Sequence, residues 1–200
     1  MNRTFYIFRH GETDWNKEKR IQGHTDTLLN ESGILQAKNL VAKFASIPLE
    51  VIYSSDLIRA KETASFVTDQ YKIPLLLETN LREMRYGDAE GMHLNQLINV
   101  FGEDLWKRIH SFKSENNHVR FPNGESRFEA RVRLRSVIDN IIQNTQYQTI
   151  GISTHGGALR NLLHGFLNDE HEVLPIPNCV VYKFVYLAVE KKFVVDSQGF

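Results

Sequence analysis

Thr4-Phe5-Tyr6-Ile7-Phe8 runs directly into Arg9-His10-Gly11-Glu12-Thr13, an apolar stretch that turns abruptly polar. A short apolar run bounded in this way reads as a strand buried on both faces. The arrangement returns twice. Val51 to Tyr53 is followed by Ser54, Ser55 and Arg59, and Thr149 to Ser153 by Thr154-His155-Gly156-Gly157. Three buried strands, each ending in unusual polar residues, decide the reading of the fold.

Between and after them the apolar spacing is helical. Ala37, Leu40, Val41 and Phe44 keep an i, i+3, i+4, i+7 pattern, as do Leu134, Val137, Ile138 and Ile141, while Leu57, Ala60, Ala64 and Val67 hold one face of another helix. Asp56 is the expected N-cap of that last helix. Leu75 to Leu77 and Val180 to Val185 add two strands. Strands alternating with helices of this length predict an α/β fold: a three-layer, open, mostly parallel sheet with helices on both faces, and the length predicts one domain over residues 1–200. The segment from Met92 to Pro122 stands apart. It is polar, rich in Lys and Arg, and ends in the turn-like Pro122-Asn123-Gly124, so it reads either as a helical excursion over a site or as a solvated surface insert.

Composition narrows the function. At 200 residues, 42% hydrophobic and 24% charged, the chain has the profile of a globular domain. Lys and Arg number 24 and so do Asp and Glu, which argues against nucleic-acid or anionic-membrane partners drawn by a long-range positive field. An anion site must then be a local concentration of charge. The lone Cys179 forms no internal disulfide, and the N-terminal stretch lacks a signal-peptide pattern, so a cytosolic location is expected.

Ligands of open α/β sheets bind at the carboxyl ends of the strands, where this chain carries Arg9, His10, Arg59 and His155. Guanidinium forks suit phosphate oxygens, and histidine supplies a hydrogen bond, a nucleophile or an acid. Gly11, Gly156 and Gly157 leave room for a ligand against the backbone, and a helix starting near Gly157 would aim its N-terminus there.

Taken in order, Arg9-His10-Gly11-Glu12-Thr13 with Asn16, Arg59-Ala60, Leu81-Arg82-Glu83 ahead of Tyr86-Gly87, Glu90-Gly91, Pro122 to Ser126 and His155-Gly156-Gly157 resemble the histidine phosphatase superfamily, with its phosphoglycerate-mutase-like fold, over residue 5 to about residue 165. The resemblance implies His10 as the nucleophile that takes the phosphoryl group, Arg9, Arg59 and His155 around the phosphate, and Asn16 touching it. It implies Glu83 as the acid for the leaving group. Gln22, Gly23 and Gly156 fall where the family lines the substrate site. A small phosphorylated metabolite is the implied ligand, with no metal or cofactor, because an Arg/His cage stabilises the transferring group by charge and position alone.

The small phosphatases of the family are the nearer match. Its mutases are similar in RHGET, Arg59, Glu83 and His155, yet tend to carry Asn after the last His-Gly and Lys after Tyr-Gly, where this chain has Gly157 and Leu94; Lys107-Arg108 keeps the mutase open. A metal hydrolase built on His10, Glu12, His24, Asp26 or His155 lacks a ligand signature, and an idle phosphate-binding module would have lost a key residue. Duller roles also stand: a core histidine at His10, and Glu83 paired with its neighbours Arg82 and Arg85. His24, Asp26, His164 and His171 read as structural or exposed, and Glu125 with Ser126 as caps of the following helix.

Overall fold

The computed structural model describes residues 1–111, 113–167 and 174–196; His171 lies outside them. The chain runs β1 (Arg3–Arg9), α1 (Asp14–Lys17), α2 (Glu31–Lys43), β2 (Val51–Ser54), α3 (Ile58–Tyr71), β3 (Leu75–Leu77), α4 (Leu94–Phe101), α5 (Glu103–His110), α6 (Arg127–Asn144), β4 (Thr149–Thr154), α7 (Gly156–Phe166), β5 (Val181–Leu187) and β6 (Lys192–Asp196). Alternation within β1 sends Phe5 and Ile7 into one apolar core and Phe8 into another, all fully buried. Val51 and Ile52 divide in the same way. β4 carries Gly151 where a Cβ would lie 2.7 Å from Ile52 Cγ1, so the neighbouring strand fills the space a side chain would take.

The sheet order is β3-β2-β4-β1-β5-β6. The first four strands are parallel, and β5 and β6 add an antiparallel edge. On one face α2 and α3 place Leu40, Phe44, Ala64 and Val67 against Phe8 and Ile52. On the other, α6 and α7 place Leu134, Ile138, Leu159 and Leu162 against Phe5 and Ile7. The three-layer reading and the three helical faces are those observed, whereas β6, whose side chains alternate between exposed and half-buried, had no run strong enough to announce it.

One cap differs from expectation. Asp56 does not cap α3; its carboxylate makes a fork with Arg82 Nε and Nη2 at 2.7 and 2.5 Å. Asp26 Oδ1, far away in sequence, accepts from Ile58 N at 2.8 Å instead. A local pattern cannot reveal a cap supplied from another loop. Ser126 does cap α6, in a reciprocal box with Glu129.

The Met92 to Pro122 excursion forms α4, α5 and a short 3₁₀ turn around a small core of its own. Leu97, Phe121 and Ala89 are buried there against Ile21, Tyr86 and Trp106. Arg127, at the start of α6, donates from Nη2 to the carbonyls of Arg108, Ile109 and Ser111 and so ties the end of α5 to the main body. Among the described residues no helix is long and apolar enough to cross a membrane.

Candidate active site

Register builds the centre of the site. Arg9 of β1 faces Thr154 of β4, and His10 N donates to Thr154 O at 3.0 Å, so the residues that leave the two strands are forced side by side. The rings of His10 and His155 lie 5.1 Å apart, and both residues are buried. His10 Nδ1 is 2.6 Å from Gly11 O. A carbonyl only accepts, so Nδ1 carries the proton and the lone pair of the neutral ring sits on Nε2. Burial first, then the charges of Arg59 and Arg9, hold the His10 pKa well below its usual 6.5. His155 is lowered by burial and Arg59 as well, and its Nε2 shares a 2.8 Å hydrogen bond with Ser55 Oγ.

Arg59 enters from the first turn of α3 and is fully buried. Its Nη1 donates to Thr25 O at 2.9 Å and its Nη2 to Gly23 O at 2.8 Å. Burial brings its pKa down to about 10, which leaves it a cation at neutral pH. Carbonyls orient this charge, the carboxylates of Glu83, Asp26 and Glu90 favour it without pairing with it directly, and a buried cation lining a cavity favours an anion beside it. The loop that presents Gly23 O is itself tied down. The Glu90 carboxylate accepts from the backbone N–H groups of His24, Thr25 and Tyr86, and a Cβ on Gly23, whose φ is +55°, would sit 2.1 Å from Glu90 Oε1. Arg9 donates from Nη1 to Ile176 O at 2.7 Å, and burial lowers its pKa too.

Glu83 Oε1 accepts from Met84 N and Ala158 N at 2.8 Å each, and Oε2 from Gly157 N at 2.9 Å. The N-terminus of α7, expected to face a ligand directly, therefore holds the Glu83 carboxylate. Arg82 is turned to Asp56, away from the pairing that a neighbour in sequence would predict.

Arg9, His10, Arg59 and Glu83 all line one cavity of about 430 Å³. Asn16, Gln22, Gly23 and Gly156 line it as well, and His155 stands behind His10. Asn16 Oδ1 accepts from Thr13 N, Gln22 Oε1 accepts from Thr27 Oγ1, and a Cβ on Gly156 would lie 3.3 Å from Arg9 Nε. Ile109, Val119 and Phe121 close the roof, so the excursion borders the site. Glu125, expected as a cap of the following helix, instead lines the cavity and pairs with Arg133.

Sequence reading missed Arg160, Arg127 and Arg20 on the outer wall. Arg160 was within reach of helical spacing, one turn after Gly156, whereas Arg20 and Arg127 arrive through tertiary packing. Of the five side chains a metal hydrolase would draw on, His10 and His155 stay at the site, while Glu12 accepts from Asn30, Asp26 caps α3, and His24 Nε2 meets Glu83 O. No cluster of three His, Cys, Asp or Glu fit to hold a metal occurs among the described residues.

An open, mostly parallel sheet that brings Arg9, His10 and the buried Arg59 to one cavity, with His155 packed beside His10, gives an α/β protein whose cavity has the charge and donors to suit an anion. The chain belongs to the histidine phosphatase superfamily (branch 1), whose model matches residues 5–196. It is 32% identical over 181 residues to phosphoglycerate mutase-like protein 4 of Arabidopsis thaliana, covering 89% of this chain and 77% of that one. Among solved structures it resembles a phosphoglycerate mutase from Bacillus anthracis str. Sterne, with a TM-score of 0.84, 27% identity and coverage of 98% and 92% of the two chains. It is also similar to the mycobacterial glucosyl-3-phosphoglycerate phosphatase Rv2419c in complex with VO3, with a TM-score of 0.81, 25% identity and 97% coverage of both chains.

Proposed function

We propose that this protein is a metal-independent phosphatase that hydrolyses small-molecule phosphate monoesters through a phosphohistidine at His10. The observation that carries the reading is the state of His10: a neutral ring whose Nδ1–H is committed to Gly11 O, leaving the Nε2 lone pair in a cavity flanked by Arg9 and Arg59. Nε2 attacks phosphorus, the ester P–O bond breaks, and Glu83, which takes up a proton when the dianionic ester binds beside it, gives that proton to the leaving oxygen. Water then attacks the phosphohistidine, Glu83 takes its proton, and the P–N bond breaks to release inorganic phosphate. Arg9 and Arg59, which line the cavity, stabilise charge on the equatorial oxygens throughout, and His155 packs against the nucleophilic ring.

A mutase would pass the same phosphoryl group to a second hydroxyl, and the names of two relatives keep that reading in view. Gly157 favours the phosphatase. A Cβ there would come within 2.6 Å of both Glu83 Oε1 and Tyr86 Oη, so an Asn of the mutase kind requires a different setting of Glu83. Radiolabelled substrate is expected to leave an acid-labile, alkali-stable label on the wild type and none on His10→Ala; label on the variant would show that the nucleophile is another group. A panel of phosphate esters run beside a mutase assay with a bisphosphoglycerate primer separates the two activities.

A further inference from the structure

Glu83 lies in a segment with almost no regular structure of its own, yet proton transfer demands that its carboxylate be held to within a fraction of an ångström. The N–H groups of α7 hold the carboxylate, and something else must hold the backbone from which it projects. That is done by a half-buried residue from α6. Arg133 Nη1 donates to Asn80 O at 2.7 Å and to Arg82 O at 2.9 Å, and Nη2 donates to Glu83 O at 3.0 Å. Its Nε and Nη2 reach the two carboxylate oxygens of Glu125, which in turn accepts from Arg85 N at 3.0 Å. All five donors of the guanidinium are used. One ion pair thus grips the chain at residues 80, 82, 83 and 85, on both sides of the proton donor. His24 Nε2 adds a 2.8 Å hydrogen bond to the same Glu83 carbonyl.

We propose that Arg133, fastened by Glu125, is a positioning residue for the Glu83 proton donor, setting the height of its carboxylate over the cavity. The idea rests on the phosphatase reading and on Glu83 as its acid. An arginine is required because three carbonyls and a carboxylate are met at once by a planar fork, a task the point charge of lysine cannot perform. A residue that only stabilised the fold would, when changed, lower all activities alike. A positioning residue for an acid instead acts in proportion to how much the leaving group needs a proton.

The test compares kcat/KM, which reports the steps up to departure of the leaving group, for an alkyl phosphate and for p-nitrophenyl phosphate. Arg133→Leu is expected to lose on the order of 10- to 100-fold on the alkyl ester, the scale of a misplaced catalytic group, and no more than about threefold on the nitrophenyl ester. Arg133→Lys keeps the charge opposite Glu125 without the fork and should fall between; it carries the test, with the same split, if Arg133→Leu does not fold. Equal losses on both esters in either folded variant would overturn the proposal. Glu83→Gln is the control. If it shows the leaving-group split and the Arg133 variants do not, the acid stands and the positioning role fails; if Glu83→Gln shows no split, the acid assignment itself is wrong.

Discussion

The floor of the cavity and its roof are built by opposite means. On the floor, His10, His155 and Arg59 are buried, and hydrogen bonds to backbone or to a strand-end serine fix them, so every polar side chain has a geometric reason for its position. The roof, from Met92 to Pro122, rests on a small apolar core, and its charges are mostly exposed, as in the i, i+4 pairs Lys107–Glu103 and Arg108–Asp104. Backbone hydrogen bonds at strand ends tolerate little displacement, whereas a few apolar contacts allow a roof to be reshaped without disturbing the chemistry beneath. Under the proposed phosphatase reading, the contrast assigns the reaction to the floor and the choice of ester to the roof.

The largest expected effect falls on the floor. Glu83→Gln should lose on the order of 10²- to 10⁴-fold in turnover on a poor leaving group; a loss below about tenfold would place Glu83 in a structural role and weaken the contrast. Next is Leu97→Ala, fully buried in the roof core, which should cost about 2–5 kcal/mol in urea denaturation while p-nitrophenyl phosphate is still turned over at close to the wild-type rate. If turnover collapses with stability, roof and floor are not separable.

Acidification should act on the floor again, with a smaller change. His10 and His155 fold with pKa values lowered by burial, so the unfolded chain binds protons first as the pH falls. The stability present above about pH 6.5, the ordinary histidine value, is therefore lost as the pH drops through the folded pKa values. Urea midpoints across this window should decline, and less steeply in His155→Asn. The smallest effect is expected at the roof's surface, where Lys107→Ala should change stability by less than about 0.5 kcal/mol and leave activity unaltered.

By itself the sequence determined the α/β architecture, because a two-residue period in Phe5 to Phe8 and a 3.6-residue period in Leu134 to Ile141 are local consequences of burial that survive in one dimension. It also foretold that Arg9, His10, Arg59 and His155 gather, since they lie at or just after strand ends and strand ends meet at one edge of the sheet. Only the tertiary structure decided their supports. Asp26 capping α3, Glu83 rather than a ligand on the N–H groups of α7, and Arg133 with Glu125 holding the loop of Glu83 all join residues far apart in sequence. A hydrogen bond needs only that two groups meet within about 3 Å, and no period in the chain records which distant groups will do so.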